Sequence, residues 1–259
     1  MSTSQPEKAL RIGVVLDGME APAWAAWALK AIHAHERLEL ALGVISDRVE
    51  TGRGSVLFAL YEALDRRVFR DASDALEPLD ISPVLEGVPV MRLPAASGQT
   101  RAHGGRPETA SEESVLDVVV CLGTPPPSGD LPFVVRQGIW YLHLGDPGRN
   151  GDEPALFWEV CFDKPASRVA LEAADPIAEG RRVLYRSAIP TDPISLQRTR
   201  NAAYWKSARF VLRRLEDLAA GRWTPDVEPA DHRARRGRAP SNADAARHMA
   251  RLAGRVARR

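Results

Sequence analysis

Two rhythms of apolar residues alternate along the chain: short continuous runs, and longer stretches in which apolar positions recur every three or four residues. Residues 10–16, rich in β-branched side chains and closed by Asp17-Gly18, read as a buried strand. Pro22 suits a first helical turn. Trp24, Trp27, Ala28 and Ala31 follow at helical spacing, with Ile32 beside them. Residues 37–46 read as a second strand, so the start of the chain predicts a βαβ unit with a right-handed crossover. An amphipathic helix over 55–69 is expected to turn Leu57, Leu60, Tyr61 and Leu64 to one face. Strands are expected at 88–93 and at 117–122, the latter (Asp-Val-Val-Val-Cys-Leu) being the clearest buried run. It breaks at Gly123-Thr124 and three prolines, at the strand end where open α/β sheets bind ligands. Gln137-Gly138 leads into a strand over 139–143, and alternation marks 167–171 and 182–189 as outer strands. A long helix over 193–219 carries Leu196, Ala203, Tyr204, Ala208, Val211, Leu212 and Leu215 and stops at Gly221. A short helix over 241–256 ends the pattern.

The stretches without rhythm set the boundaries. Residues 94–114, made of Ala, Ser, Gly, Thr, Arg, Pro and Glu, read as a surface loop or lid. No internal repeat is visible. The expected organisation is a flexible N-terminus over 1–9, an α/β domain over 10–224, and a basic linker with a short helix over 225–259. A length of 259 residues, 44% apolar and 27% charged, suits a globular chain and excludes a wholly disordered one. No apolar run reaches the roughly 18 residues of a membrane span, and the first residues lack a secretory pattern, so a cytoplasmic location is expected. Cys121 and Cys161 are too few for a disulfide scaffold or a cysteine-rich zinc site. The net charge of +1 provides no whole-protein field for nucleic acid, but residues 231–259 hold nine arginines against Asp231 and Asp244. That tail is either a contact for RNA, anionic lipid or an acidic partner, or simply a solvated terminus.

The chemistry concentrates between residues 138 and 160. A strand delivers His143 to its C-terminal end, just before a loop dense in Gly, Pro, Asp and Arg. A histidine there suits proton exchange, with Asp146 to orient the imidazole and Arg149 to hold an anion. The plainer alternative is a histidine hydrogen-bonded in a tight turn. His33, His35, His103, His232 and His248 are expected on helix surfaces or in polar segments. Dinucleotide, P-loop, nucleophile-elbow and zinc-protease motifs are absent from the sequence. No spacing rule makes a metal site of His143, Asp146 and Glu159, and Trp24 and Trp27 read as helix packing.

The order of elements, with Asp117-Val-Val-Val-Cys-Leu-Gly and then Gln137-Gly138-Ile-Trp-Tyr-Leu-His143, resembles the folate-dependent formyltransferases, such as those acting on methionyl-tRNA and glycinamide ribonucleotide. A closer likeness is to a divergent branch: the N-terminal domain of plant glucosamine inositolphosphorylceramide transferases and its stand-alone bacterial relatives. That branch carries Gly-x-Trp-x-x-His-x-Gly-Asp and then Phe-Trp-Glu-Val. Here these are Gly138-Ile-Trp140-Tyr-Leu-His143-Leu-Gly145-Asp146 and Phe157-Trp158-Glu159-Val160. The likeness spans residues 10–220 and implies a Rossmann-like α/β formyltransferase fold: a mainly parallel sheet flanked by helices, with added C-terminal strands and a long helix.

The resemblance also implies a reaction, the transfer of a formyl or related acyl group from 10-formyltetrahydrofolate to an amine of a sugar or nucleotide-linked acceptor. His143 falls on the family's histidine. The family's Asn, which helps to stabilise the oxyanion, is replaced by Tyr141, and its Asp, which tunes the histidine and the proton traffic, by Ala178. His143, Asp146 and Glu159 are therefore the candidate catalytic residues. Arg149, Asn150 and Trp158 are assigned to the acceptor, an amino sugar by analogy with the branch, and Gly123, Thr124 and Tyr141 to the folate. The rival expectation is a catalytically degenerate module that binds or assembles components of a glycosyl-transfer system.

Overall fold

The computed structural model describes residues 9–46, 55–93, 115–127, 131–145, 154–174, 181–223, 228–229 and 239–256. The chain opens with β1 (Leu10–Leu16), a short β2 (Glu20–Pro22), α1 (Ala23–His33), β3 (Leu38–Ser46) and α2 (Val56–Val68). Next come β4 (Pro78–Asp80), β5 (Val90–Leu93), β6 (Val115–Leu116), β7 (Val118–Cys121), β8 (Val134–Val135) and β9 (Ile139–Leu144). The C-terminal part holds α3 (Phe157–Cys161), β10 (Ala166–Ala174), β11 (Arg181–Pro190), α4 (Leu196–Ala219), β12 (Glu228–Pro229) and α5 (Asn242–Val256).

Eight strands form one sheet in the order β12-β11-β10-β9-β7-β1-β3-β5. From β5 to β9 every pairing is parallel, and β10, β11 and β12 are added antiparallel. β2 with β4 and β6 with β8 make two small ribbons. The segment expected as an outer strand at 167–171 is instead part of β10, which is longer and lies between β9 and β11. Its alternation is weak because both faces are covered, so its middle reads as an apolar run rather than as in-out alternation.

Every described helix packs into the larger of two apolar clusters, on the face of the sheet that presents Ile12, Val14, Val118, Val120 and Trp140. Of the two tryptophans on α1, Trp24 is buried and stacks on Tyr204, whereas Trp27 is exposed. The long helix begins at Leu196, three residues later than its composition suggests. Asp192 turns the chain by accepting from the backbone of Ile194 and Ser195, and Ser195 then caps the helix by accepting from Arg198 N at 3.1 Å. The buried Asp65 adds a second cap, accepting from Gln197 N at 2.6 Å.

α2 is rotated from the sequence expectation: Tyr61 is buried and Leu57 packs on the core as expected, but Leu60 and Leu64 are not. Phe58, Tyr61 and Asp65 face the core, while Leu60 and Leu64 are 64% and 58% exposed. The helix carries two apolar stripes. The aromatic one is buried because its partners are aromatic: Phe58 meets Phe157 edge-on at 5.0 Å, and Tyr61 meets His248 at 4.8 Å.

The expectation that the other histidines lie on helix surfaces or in polar segments fails at His248. It is fully buried on α5, with Nε2 3.0 Å from the Tyr61 hydroxyl. Burial, with Arg255 and Arg251 nearby, lowers its pKa to about 4. Nor is the last helix a solvated terminus. Arg251 donates to the Cys161 carbonyl, Arg255 to the Pro193 carbonyl, and Arg247 pairs with Asp244. Three of the nine tail arginines are thereby committed within the fold.

Candidate active site

After β1 the chain builds β3 and β5 on one side of it and then returns to build β7 and β9 on the other. The reversal makes the C-terminal ends of β1 and β7 a topological switch point, the usual ligand position in such sheets. Val15 is level with Cys121, and Val120 with Trp140. Asp17 and Gly123 follow β1 and β7, and His143 lies near the same end of β9, the next strand in the sheet. Gly123 turns the chain there in the left-handed region, with φ +86°, and Thr124 behind it is buried.

β9 is held in place from its first residue. Gly138 has φ +84°, and a Cβ there would lie 2.9 Å from the Ala174 carbonyl oxygen, so only glycine lets β9 start this close to β10. Trp140 Nε1 donates to the Gln137 carbonyl at 3.1 Å and its ring meets Trp223 on the helical face. Ile139 and Tyr141 belong to the second apolar cluster, on the opposite face, with Val15, Val119, Phe133 and Val135. Strand alternation puts His143 on that same face, 1% exposed and opposite the small Ala170.

Tyr141 brings a partner that the sequence did not disclose. Its hydroxyl donates to Glu172 Oε2 at 2.6 Å, and Glu172, directly opposite on β10, is 3% exposed. The Arg181 guanidinium lies 5.6 Å from the Tyr141 ring centroid. The one sequence signal for Glu172 is an acid inside the otherwise apolar run Val169-Ala-Leu-Glu-Ala-Ala.

Glu159 and Trp158 are both buried on α3, in the helical layer, where Trp158 stacks on Phe162 and meets Phe157 edge-on. Asp146, Arg149 and Asn150 lie outside the described residues, as do Ala178 and the 94–114 segment. Burial pushes the Cys121 and Cys161 thiols up, which keeps both protonated and unsuited to nucleophilic chemistry. Among the described residues no three His, Cys, Asp or Glu side chains gather as a metal site, and no helix is long and apolar enough to cross a membrane.

This arrangement of strands has counterparts among solved structures. Glycinamide ribonucleotide transformylase 1 from Symbiobacterium toebii superposes with a TM-score of 0.51 at 14% identity, over 86% of this chain and 95% of its own. The fold is that of the formyltransferases. Phosphoribosylglycinamide formyltransferase from Anaplasma phagocytophilum matches with a TM-score of 0.50 at 10% identity, over 83% of this chain and 89% of its own. An N-formyltransferase from Helicobacter canadensis, solved with folinic acid and dTDP-3-aminofucose, superposes more loosely, with a TM-score of 0.49 at 10% identity over 92% of this chain and 72% of its own. No family model and no curated protein matches the sequence. The formyltransferase fold is therefore carried here by a sequence far from the proteins that share it.

Proposed function

We propose that this chain is a formyltransferase, moving a formyl or related acyl group from 10-formyltetrahydrofolate to an amine of a sugar or nucleotide-linked acceptor. The observation that carries the reading is His143, buried at the C-terminal end of β9 in a sheet with the formyltransferase fold, next to the point where the strand order reverses. An imidazole in that position can donate a hydrogen bond to a developing oxyanion and exchange a proton with the departing nitrogen.

The residues at this switch point fit a folate in kind. The second apolar cluster, with Phe133 and Tyr141, lies on the face that carries His143, and Gly123 and Thr124 follow β7 toward the same end of the sheet. Gly123, Thr124 and Tyr141 would hold the folate, which supplies the activated formyl carbon when bound. Asp146 is assigned the orientation of the imidazole, whereas Glu159, in the helical layer on the other face of the sheet, is given no part in it. Arg149 and Asn150 are assigned to the acceptor, with an amino sugar as the first candidate; Trp158 packs in the helical layer instead.

Calorimetric titration with a 10-formyltetrahydrofolate analogue, followed by an acceptor screen, tests the reading. Micromolar binding and transfer by the wild type are expected, with transfer reduced by about 10²–10⁴-fold in His143→Ala. No folate binding by the wild type overturns the proposal. Binding without transfer to any amine turns it into the rival one, a module that keeps the pocket and has lost the reaction.

A further inference from the structure

α2 turns an apolar ridge outward. Its buried face holds Phe58, Tyr61 and the carboxylate of Asp65, whereas Val56, Leu60, Leu64 and Val68 are between 58% and 83% exposed. A surface helix of a chain that works alone turns such a stripe inward. The four residues recur every fourth position and so form one continuous ridge, with the small Ala59 and Ala63, and then Arg67, exposed in the row beside it. The helix that presents the ridge is firmly held. The Ser55 hydroxyl caps it by accepting from Phe58 N, Asn242 Oδ1 accepts from Leu57 N, and Phe157 and His248 pack against its inner aromatic rings.

We infer that this ridge joins two copies of the chain, with their α2 helices antiparallel about a two-fold axis between Leu60 and Leu64. Read from either end the ridge is Val, Leu, Leu, Val at the same spacing, so a two-fold rotation lays it on itself. Such self-complementarity is what a closed dimer requires. Leu60 of one copy then lies against Leu64 and Ala63 of the other, and Val56 against Val68. A ridge beside a row of alanines is both knob and groove, and helices packed along such rows cross at about 50°. Charge selects the antiparallel sense. Arg66, Arg67 and Arg70 stand at and just past the C-terminal end of α2, and a parallel pair would set the two basic ends side by side. The antiparallel pair keeps the two Arg67 residues about 15 Å apart by helical rise alone. The ridge with Ala59, Ala63 and Arg67 offers about 600 Å² per copy, so pairing removes about 1,200 Å² from water, the size at which stable specific interfaces begin. α2 packs on the helical face of the sheet, opposite the face of His143, so the pairing is independent of the formyl-transfer reading.

Sedimentation of the full chain at tens of micromolar tests this. The wild type is expected at twice the monomer mass. Leu60→Glu and Leu64→Lys, each alone, are expected at the monomer mass, because each would bury an unpaired charge at the centre of the pair. Both positions are exposed in the single chain, so circular dichroism should show the fold unchanged. An equimolar mixture of the two variants should recover the doubled mass, since position 60 of one copy faces position 64 of the other and the introduced charges are opposite. A wild type that stays monomeric, or a doubled mass that survives both substitutions, overturns the inference. A mixture that remains monomeric overturns the antiparallel pairing. A monomeric wild type that co-sediments with phosphatidylserine vesicles, and ceases to do so in Leu60→Glu, overturns the dimer and gives the ridge to a lipid surface.

Discussion

The helical face of the sheet and the face that carries His143 use their buried polar groups for different ends. On the helical side, Asp65 accepts from Gln197 N and Ser195 Oγ, Asp74 accepts from the Gln197 side chain at 2.8 Å, and His248 meets Tyr61. These contacts cap α4 and tie α2 to α4 and α5, and each group is answered by a neighbour with a structural task. On the other side the apolar cluster is smaller, and its polar members, Tyr141 and Glu172, pair with each other in the row beside His143. One face supplies cohesion, and the other holds His143 at the C-terminal end of β9 with a phenol–carboxylate pair two residues further in. Substitutions on the two faces should therefore separate stability from chemistry.

The largest separation is expected at Phe157. It is fully buried where the rings of Phe58, Tyr61, Trp158 and His248 converge, and Phe157→Ala should cost about 3–5 kcal/mol of unfolding free energy. Urea titration measures it. The counterpart, His143→Ala, should leave the urea midpoint far closer to wild type while lowering turnover by about 10²–10⁴-fold. If both variants lose stability equally, the two faces are not distinct in this sense.

His248 yields the next effect, in pH. Its folded value of about 4 lies below the ordinary 6.5 of an exposed histidine, because burial and Arg255 and Arg251 disfavour the charged ring. The unfolded chain therefore binds the proton more readily. Stability is full above pH 6.5 and falls as pH drops toward 4, by about 3 kcal/mol when complete. His248→Gln, which keeps a partner for Tyr61, should flatten that part of the curve relative to wild type in denaturant titrations at pH 7, 5.5 and 4. Parallel curves for the two proteins would remove His248 from the account.

The smallest effect connects the faces. Gly138→Ala places a Cβ 2.9 Å from the Ala174 carbonyl at a residue with φ +84°, and should cost about 1–3 kcal/mol. Because the strain sits at the root of β9, some of it should appear as a shift of Tyr141 and His143 and a lower kcat, and not only as a lower melting temperature. Calorimetry and steady-state kinetics on the same sample read the two parts. A variant that loses stability alone would show β9 to be rigid beyond its first residue.

Much of this molecule is legible one segment at a time. The β-branched runs mark β1, β7 and β9, and Gly123 and His143 announce themselves by following those runs, since a strand's end is where the chain must turn and where a parallel sheet opens. Periodicity is a property of near neighbours, and it determined these elements without reference to the rest of the fold. It could not choose between the two apolar stripes of α2, because both satisfy the helical period. The choice fell to Phe157 and His248, the latter 187 residues from Tyr61. Nor could it pair Tyr141 with Glu172, 31 residues away, since that contact exists only in the antiparallel register of β9 and β10. The sequence by itself determined the main strands of the sheet, the longer helices and where the histidine stands, but not the short β2, β4, β6, β8, β12 and α3. Tertiary structure decided which side chains meet, because a register or a docked helix is settled by the combined burial of residues far apart in the chain.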